Sequence, residues 1–448
     1  MMDSKNVKLN KKVEHRNNYI SVSYKFLICH IFALIWTVFA IYISMHWIND
    51  LSKIITLPAA IIIITGIAYI PGYLNIFLIV SLIIDKQPPL KNKYPTEDIT
   101  ILIAARNEGD TIANTLSYIA SQDYTGKCKI IVIDNGSTDE TASNAIKASA
   151  KLDIDVLVIR EDNQGKYNAL NTGLEYATTD LVITLDADTL LHKSAVRYLV
   201  ARIKSAPSEV CAVAGCMLAR NSRDNLLTKM QSWDYFLGIA SIKRMQGLYQ
   251  GVLVAQGAFS IYKTKNVKEV DGWPNAIGED IVLTWNLLNK GWITYFEPLS
   301  VAFTDVPTSL RSFSSQRSRW SRGMIEALKK IKPWEQPRIY IKYLTSVNLV
   351  MPYLDFVYTF CWIPGLILAF GGIYWVVGPM TLLVLPLTFI SYAILYKYQM
   401  HVFKKLNLKI RKNILGFIFF VLFYQIIMSP VSVWGYLQEL FKSERKWN

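Results

Sequence analysis

A mostly parallel α/β sheet with helices on both faces, combined with transmembrane and interfacial α-helices, is the architecture this chain predicts. Three observations predict it. The 448 residues are 52% hydrophobic with a positive mean hydropathy, too apolar for an ordinary soluble enzyme. The apolar residues gather in four uncharged runs, Phe26 to Asn49, Ile54 to Ile84, Phe356 to Tyr396 and Ile414 to Gln438. Between the second and third runs, continuous apolar stretches alternate with helical patterns, as in βαβ units whose strands are buried on both faces.

A helix crossing the hydrocarbon needs about 20 mostly apolar residues, so the first, second and fourth runs can each span once. The third has room for two helices, with Gly371, Gly372, Gly378 and Pro379 offering a turn. The first run is too long for a cleaved signal and lacks a small-residue cleavage site, so it reads as a retained anchor. Lys5, Lys8, Lys11, Lys12 and Arg16 precede it; Lys397, Lys404, Lys405, Lys409, Arg411 and Lys412 follow the third run without an acid among them. Both stretches read as cytoplasmic. A hairpin of the first two helices then returns the chain to the cytoplasm at Asp85. Residues 1–93 become a basic amino terminus with two transmembrane helices, 94–343 a cytoplasmic domain with interfacial helices, and 344–448 the carboxyl-terminal transmembrane helices. The side of the tail stays open. One crossing puts it outside, whereas Lys442, Glu444, Arg445 and Lys446 favour the inside or the interface, and Pro430 offers a break.

These flanks account for the net charge of +14, since basic residues at membrane ends meet anionic headgroups. No compact basic patch, helix-turn-helix or zinc spacing marks a nucleic-acid partner, and none is expected. Cys29, Cys128, Cys211, Cys216 and Cys361 form no CxxC and read as packing residues in a reducing compartment. His192 is the one histidine near the candidate chemistry, so a catalytic base has to be a carboxylate.

In the middle region, Asp98 to Ala105 reads as a buried strand, followed by Arg106, Asn107, Glu108 and a helix over 111–121. Lys129 to Ile133 is the next strand, ending in Asp134 and a turn that caps a helix. Leu152 to Arg160 is a third. Gly165 and Lys166 open a helix through Ala177, and the strand DLVITL follows, ending in Asp186 and Asp188. Residues two apart in an extended segment project to the same side, so this pair can share one hard cation. An acid-rich turn after a buried strand gives the same pattern without a metal.

In order, the segments ILIAARNE, IIVIDNGSTDET, NQGKYNALNTGL, LVITLDADT, GEDIVLTW and QRSRW resemble those of family 2 glycosyltransferases with a GT-A domain. More narrowly, they resemble the membrane-embedded processive synthases of cellulose, chitin, hyaluronan and poly-N-acetylglucosamine, over Ile99 to about Lys330. The resemblance implies a UDP-sugar donor, a growing polysaccharide acceptor, Mg²⁺ or Mn²⁺, the lipid bilayer and a small membrane accessory subunit. It places Asp134 against uracil, with Ala105, Asn107 and Glu108 as the other wall of that pocket. Lys166, at a helix start after a glycine, faces phosphate. Asp188, assisted by Asp186, holds the metal against the diphosphate.

Glu279 and Asp280 open a helix at the acceptor side, Asp280 as the base that takes the acceptor hydroxyl's proton. Gly278 stands where the family pattern more often has Thr. Gln316, Arg319 and Trp320 share a helical face of the QxxRW pattern, Arg319 for diphosphate oxygens and Trp320 for a sugar ring. The same helix also reads as amphipathic, with Arg311, Arg317, Arg322 and Lys329 among headgroups. A second interfacial helix runs through Leu226, Met230, Trp233 and Leu237, flanked by Arg223, Lys229, Lys243 and Arg244. The resemblance places residues 256–259 near the acceptor, and a glycine beside an aromatic is equally the pattern of a buried turn. Trp362, Tyr374 and Trp375 fit either a sugar path or an interfacial aromatic belt. The pattern GEDIVLTW with QRSRWSRG is most similar to bacterial poly-β-1,6-N-acetylglucosamine synthases. This implies inverting polymerisation of UDP-N-acetylglucosamine with export across the plasma membrane, in exopolysaccharide and biofilm synthesis. The alternatives are another β-polysaccharide synthase or a single-addition transferase to a lipid-linked acceptor.

Overall fold

The structure, a computed structural model, describes residues 20–378, 381 and 384–442. The basic stretch Lys5 to Arg16, Pro379, Glu444, Arg445 and Lys446 lie outside the described residues. Among these residues eight strands form one sheet: β1 (Ile99–Ala105), β2 (Cys128–Asp134), β3 (Val156–Arg160), β4 (Leu181–Asp186), β5 (Leu190–Leu191), β6 (Val210–Ala219), β7 (Phe259–Lys263) and β8 (Ile293–Thr304). Their order is β3-β2-β1-β4-β7-β6-β8-β5. The first half, β3-β2-β1-β4, is parallel throughout. β7 enters antiparallel between β4 and β6, β6 and β8 run parallel, and β5 closes the edge antiparallel.

Strand alternation sends Ile101, Ile103, Ile130 and Val132 to one face and Leu102, Ile131 and Ile133 to the other. Helices Ile112–Ala120, Thr141–Leu152 and Ala195–Ser205 cover the first face. Lys166–Glu175 and Glu279–Asn289 cover the second. Both faces are apolar because both are covered, which is why these strands read as unbroken hydrophobic runs. The third strand starts at Val156, later than its apolar pattern predicts. Leu152 ends the preceding helix instead, and Asp153 (φ 52°) takes the left-handed turn out of it.

Among the described residues four helices are long and apolar enough to cross a membrane: Val22–Ile43, Leu57–Ile83, Ile339–Phe370 and Ile414–Leu440. The third begins at Ile339, after Pro337, so the expected boundary at 343 falls inside a helix. Lys342 and Asp355 on that helix made its first half look like part of the polar domain. Gly371 and Gly372 do make the turn, closed by Ile373 N–H donating to Leu368 O at 3.0 Å. The helix that follows, Val384–Lys405, is not one of the four, and its second half docks on the domain side. Gln399 donates to Phe236 O at 2.6 Å, and Tyr398 Oη to Leu82 O at 2.6 Å.

The last helix is tethered at both ends. Trp233 Nε1 donates to Asn413 O at 2.8 Å, and Asn413 Nδ2 to Lys229 O at 2.9 Å. At the other end Glu439 meets Lys329 at 3.1 Å and Arg322 at 3.7 Å. This helix therefore runs lengthwise along Leu310–Lys330, with the Phe313 and Tyr424 rings 5.9 Å apart between the two ends.

A buried ion pair fixes the sheet's second half to the membrane hairpin. Arg202 Nε donates to Glu297 Oε2 at 2.6 Å and its Nη1 to Pro88 O at 2.7 Å, with Glu297 only 1% exposed. Glu297→Ala leaves the guanidinium buried without its counter-charge. A loss of about 3–5 kcal/mol is expected from such a break. The check is denaturant unfolding of detergent-purified protein; unchanged stability would remove the pair from the fold's essential contacts.

Candidate active site

Register builds the first half of the site. β1 pairs Ala105 with Asp134 on β2 and Ala104 with Asp186 on β4. Two carboxylates thus emerge at the carboxyl ends of strands flanking β1, the edge at which parallel α/β sheets bind ligands. Asp134 is nearly buried and accepts Ser137 N–H at 3.1 Å. The loop after β1 is pinned to the loop after β2. Asn107, in the left-handed region (φ 54°), donates its N–H to Ser137 Oγ at 3.0 Å and accepts Thr138 N–H on Oδ1 at 2.9 Å. Glu108 N–H reaches Thr141 Oγ1 at 2.8 Å. The loop carrying Asn107 and Glu108 is therefore held against the loop that follows Asp134.

Gly165 caps the next helix with φ 138°, a conformation that favours glycine, and its N–H donates to Asn135 Oδ1 at 2.7 Å. This aims Lys166 across the sheet end. Its ammonium pairs with Asp186 and lies 4.0 Å from Glu279 Oε1. Burial alone lowers the Lys166 pKa, but Asp186 and Glu279 outweigh it and hold the ammonium above the usual lysine range. The two acidic sites, about ninety residues apart in sequence, thus meet at one lysine.

Asp188 sits in the turn after β4. Burial, then the charges of Asp186 and Glu108, push it up to about 6. Burial and Asp186 raise Glu108 as well. Among the described residues Asp188 accepts one weak side-chain hydrogen bond, from Thr189 Oγ1 at 3.4 Å. No group of three or more His, Cys, Asp or Glu side chains among the described residues is arranged to hold an ion. Two repelling carboxylates, with Lys166 paired to Asp186 and Arg220 already paired to Asp305, nonetheless fit a small hard divalent ion. Such an ion commonly takes one or two protein carboxylates and completes its shell from phosphates and water.

Glu279 and Asp280 occupy the first turn of Glu279–Asn289. Asp280 Oδ2 accepts Gly257 N–H at 3.2 Å and Oδ1 accepts Ile281 N–H at 2.8 Å, which fixes the carboxylate toward the 256–259 turn. Gly257 is itself against the Lys166 ammonium, 3.0 Å from where a Cβ would stand. Burial and then Asp280 raise Glu279 to about 7.

Gly278 stands in place of Thr for a steric reason. A Cβ there would lie 2.9 Å from Gly323 Cα, so the two glycines let the acidic helix seat directly on Leu310–Lys330. Ile277 N–H donates to Glu326 Oε2 at 2.7 Å beside them. On that helix Arg319 and Trp320 are exposed, Trp320 by 40%, whereas Gln316 is half-buried with its side-chain oxygen out of solvent.

The other arginines of the helix correct the expectation. Arg317 and Arg322 are buried in protein rather than set among headgroups. Arg317 donates to Asp234 Oδ2 at 3.0 Å and lies 4.1 Å over the Trp320 ring. Tyr424 Oη donates to the same Asp234 oxygen at 2.7 Å. Lys243 and Arg244 likewise face inward: Lys243 Nζ donates to Val254 O at 3.1 Å, and Arg244 pairs with Asp85. Burial pulls Lys243 down to about 8, with Asp280 opposing the shift.

Asp234 and Lys243 were missed as parts of the site. An acid inside the otherwise apolar stripe of Trp233 and Leu237 was the available signal for Asp234; Lys243 had none.

The glycosyl transferase family 2 profile matches residues 100–271. A poly-β-1,6-N-acetyl-D-glucosamine synthase of Staphylococcus aureus is 35% identical over 272 residues, 58% of this chain and 65% of its own length. Its Staphylococcus epidermidis counterpart is 31% identical over 306 residues, 66% of this chain and 73% of its own. The chain belongs to glycosyl transferase family 2. As a family 2 protein it shares its fold with a mannosyltransferase of Pyrobaculum calidifontis solved with GDP-Man and Mn²⁺ (TM-score 0.58, 18% identity, 86% of this chain and 99% of that one). The aligned stretch spans just under two thirds of the S. aureus relatives.

Gly323→Val tests how the family 2 core is seated. The added side chain would collide with Gly278 and separate the acidic helix from Gln316, Arg319 and Trp320. An overpacking cost of about 1–3 kcal/mol is expected, read as a lowered midpoint in denaturant unfolding of the detergent-purified protein. Unchanged stability in this variant would show that the two helices need not touch.

Proposed function

We propose that the chain is an inverting, processive UDP-sugar hexosyltransferase. In this reading it extends poly-β-1,6-N-acetylglucosamine from UDP-N-acetylglucosamine and passes the product across the plasma membrane. Its α/β domain faces the cytoplasm between the amino-terminal hairpin and the helices from Ile339 onward, and a small accessory subunit belongs to the same proposal. The observation that carries it is the convergence of both acidic sites on Lys166, beside a helix that presents Arg319 and Trp320 outward. The names of the staphylococcal relatives support the sugar and the linkage.

Asp134, Ala105, Asn107 and Glu108 bind the uracil end of the donor. Lys166 moves from Asp186 to the diphosphate, since a phosphate offers it a stronger charge in the same cleft. Asp188 and Asp186 would hold Mg²⁺ or Mn²⁺ there, which stabilises negative charge on the departing nucleotide. Arg319 adds paired N–H donors, Gln316 a further polar contact, and Trp320 a ring face for the acceptor sugar. Asp280, held by the Gly257 and Ile281 N–H groups, accepts the acceptor hydroxyl's proton as oxygen attacks the anomeric carbon. Direct attack inverts that carbon and needs no covalent intermediate. Glu279, beside it, is pushed up to about 7 by burial and by Asp280, which marks how strongly negative charge is crowded around the base.

Asp280→Asn is expected to reduce sugar transfer by about 10²–10⁴-fold while UDP affinity changes less than threefold, by calorimetry. Near-normal turnover would remove Asp280 as the base. With labelled UDP-sugars, the purified protein should make a long product from UDP-N-acetylglucosamine alone, cleaved by a β-1,6-specific hydrolase. One sugar on a lipid would replace this reading with the single-addition transferase.

The pH dependence follows from Asp188. Its protonated form cannot hold a cation, so metal-supported UDP affinity should fall about tenfold from pH 7 to pH 5, centred near pH 6. Asp188→Asn should weaken that affinity at pH 7 and flatten the profile; an unshifted profile would exclude Asp188 from metal binding.

A further inference from the structure

A cavity of about 890 Å³ opens beside the Asp188 turn, between the ends of β6 and β8, the Leu226–Trp233 helix and residues 408–413. Its rim carries six cations: Arg220, Arg223, Lys229, Lys409, Arg411 and Lys412. No acidic side chain lines it among the described residues. Arg220 is neutralised by Asp305, but none of the other five is ion-paired among the described residues. The floor is apolar, formed by Leu218, Phe236, Phe303 and Phe403 with Trp233 at the side. None of Asp134, Lys166, Asp186, Asp188, Glu279 or Asp280 lines it, and the Asp188 charge acts on Arg220 alone among its cations.

The geometry points to a binding site for one anionic phospholipid: the phosphate among the rim cations, an acyl chain along the phenylalanines. Charge complementarity excludes a neutral sugar chain, which leaves five ammonium and guanidinium groups without partners. Position selects a lipid over a soluble anion. Phe403 lies near the end of Val384–Lys405, and Asn413 caps Ile414–Leu440, whose first turn is apolar, so the cavity opens where apolar helices meet the polar domain. Basic residues at that level attract anionic headgroups, and the volume is that of an ordinary small-molecule pocket. Trp233 and Phe236 tie the cavity wall to Asp234, and through it to Arg317 and Trp320, so an occupied cavity braces the acceptor helix. The inference needs membrane insertion but not the sugar or the linkage.

The test is native mass spectrometry of the full-length protein in detergent, titrated with phosphatidylglycerol or phosphatidylcholine. Wild type is expected to retain phosphatidylglycerol at a lipid concentration at least tenfold lower than phosphatidylcholine. Lys409→Glu/Arg411→Glu/Lys412→Glu should abolish that preference. Lys409→Arg/Lys412→Arg should keep it, as should the charge-matched control Lys127→Glu/Lys147→Glu/Lys151→Glu on a distant exposed surface. Equal retention of both lipids by wild type would overturn the site, as would equal loss in the control. Displacement of the lipid by glycerol phosphate would assign the rim to a free phosphate instead. Displacement by UDP would merge the cavity with the donor site. Thermal unfolding of each variant guards against misfolding, and UDP binding, read separately, reports on the catalytic cleft.

Discussion

Unbalanced negative charge at one end of a parallel sheet governs this molecule. Asp186, Glu279 and Asp280 all act on the Lys166 ammonium, and Asp188 and Glu108 crowd against Asp186. The sheet cannot avoid this, because β1 holds its two neighbours in a register that brings Asp134 and Asp186 out together. Repulsion is visible in the groups themselves: Asp188 and Glu279 are both pushed toward neutrality. A cleft in that state favours a ligand that brings its own cation and disperses the charge over phosphate oxygens, as the donor of a family 2 glycosyltransferase does.

The second constraint is how closely the catalytic core sits on its amphipathic helix. Gly278 and Gly323 remove two side chains at the contact, which brings Asp280 and Trp320 onto neighbouring elements. Asp234 then joins three segments distant in sequence, accepting from Arg317 and from Tyr424 on the last apolar helix. Glu439 ties down that helix's far end. Any displacement of the membrane helices is thereby felt at the face that carries Arg319.

Much of this was legible from residues alone, where local rules are strong. The strands β1, β2 and β4 declared themselves as apolar runs because both faces of the sheet are covered. Lys166, Asp188 and Asp280 fell at element ends, where glycines and acids have local reasons to stand. The antiparallel entry of β7 between β4 and β6 was not legible, since pairing partners are set by contacts across the whole domain. The start of the third membrane helix at Ile339 was hidden by Lys342 and Asp355. Asp355 is satisfied there by Ser429 and Tyr436, at 2.7 and 2.8 Å.

The sequence by itself determined the composition of the two solvents this chain meets, the order of its elements and the ends of strands and helices that carry chemistry. Those properties depend on neighbours within a few residues, through periodicity, capping and apolar length. Only the tertiary structure decided that two acidic sites share Lys166, that Gly278 exists to admit Gly323, and that Arg317 and Arg322 turn inward rather than toward lipid. Helical spacing places an arginine on a face, but which face is buried depends on the partner that covers it.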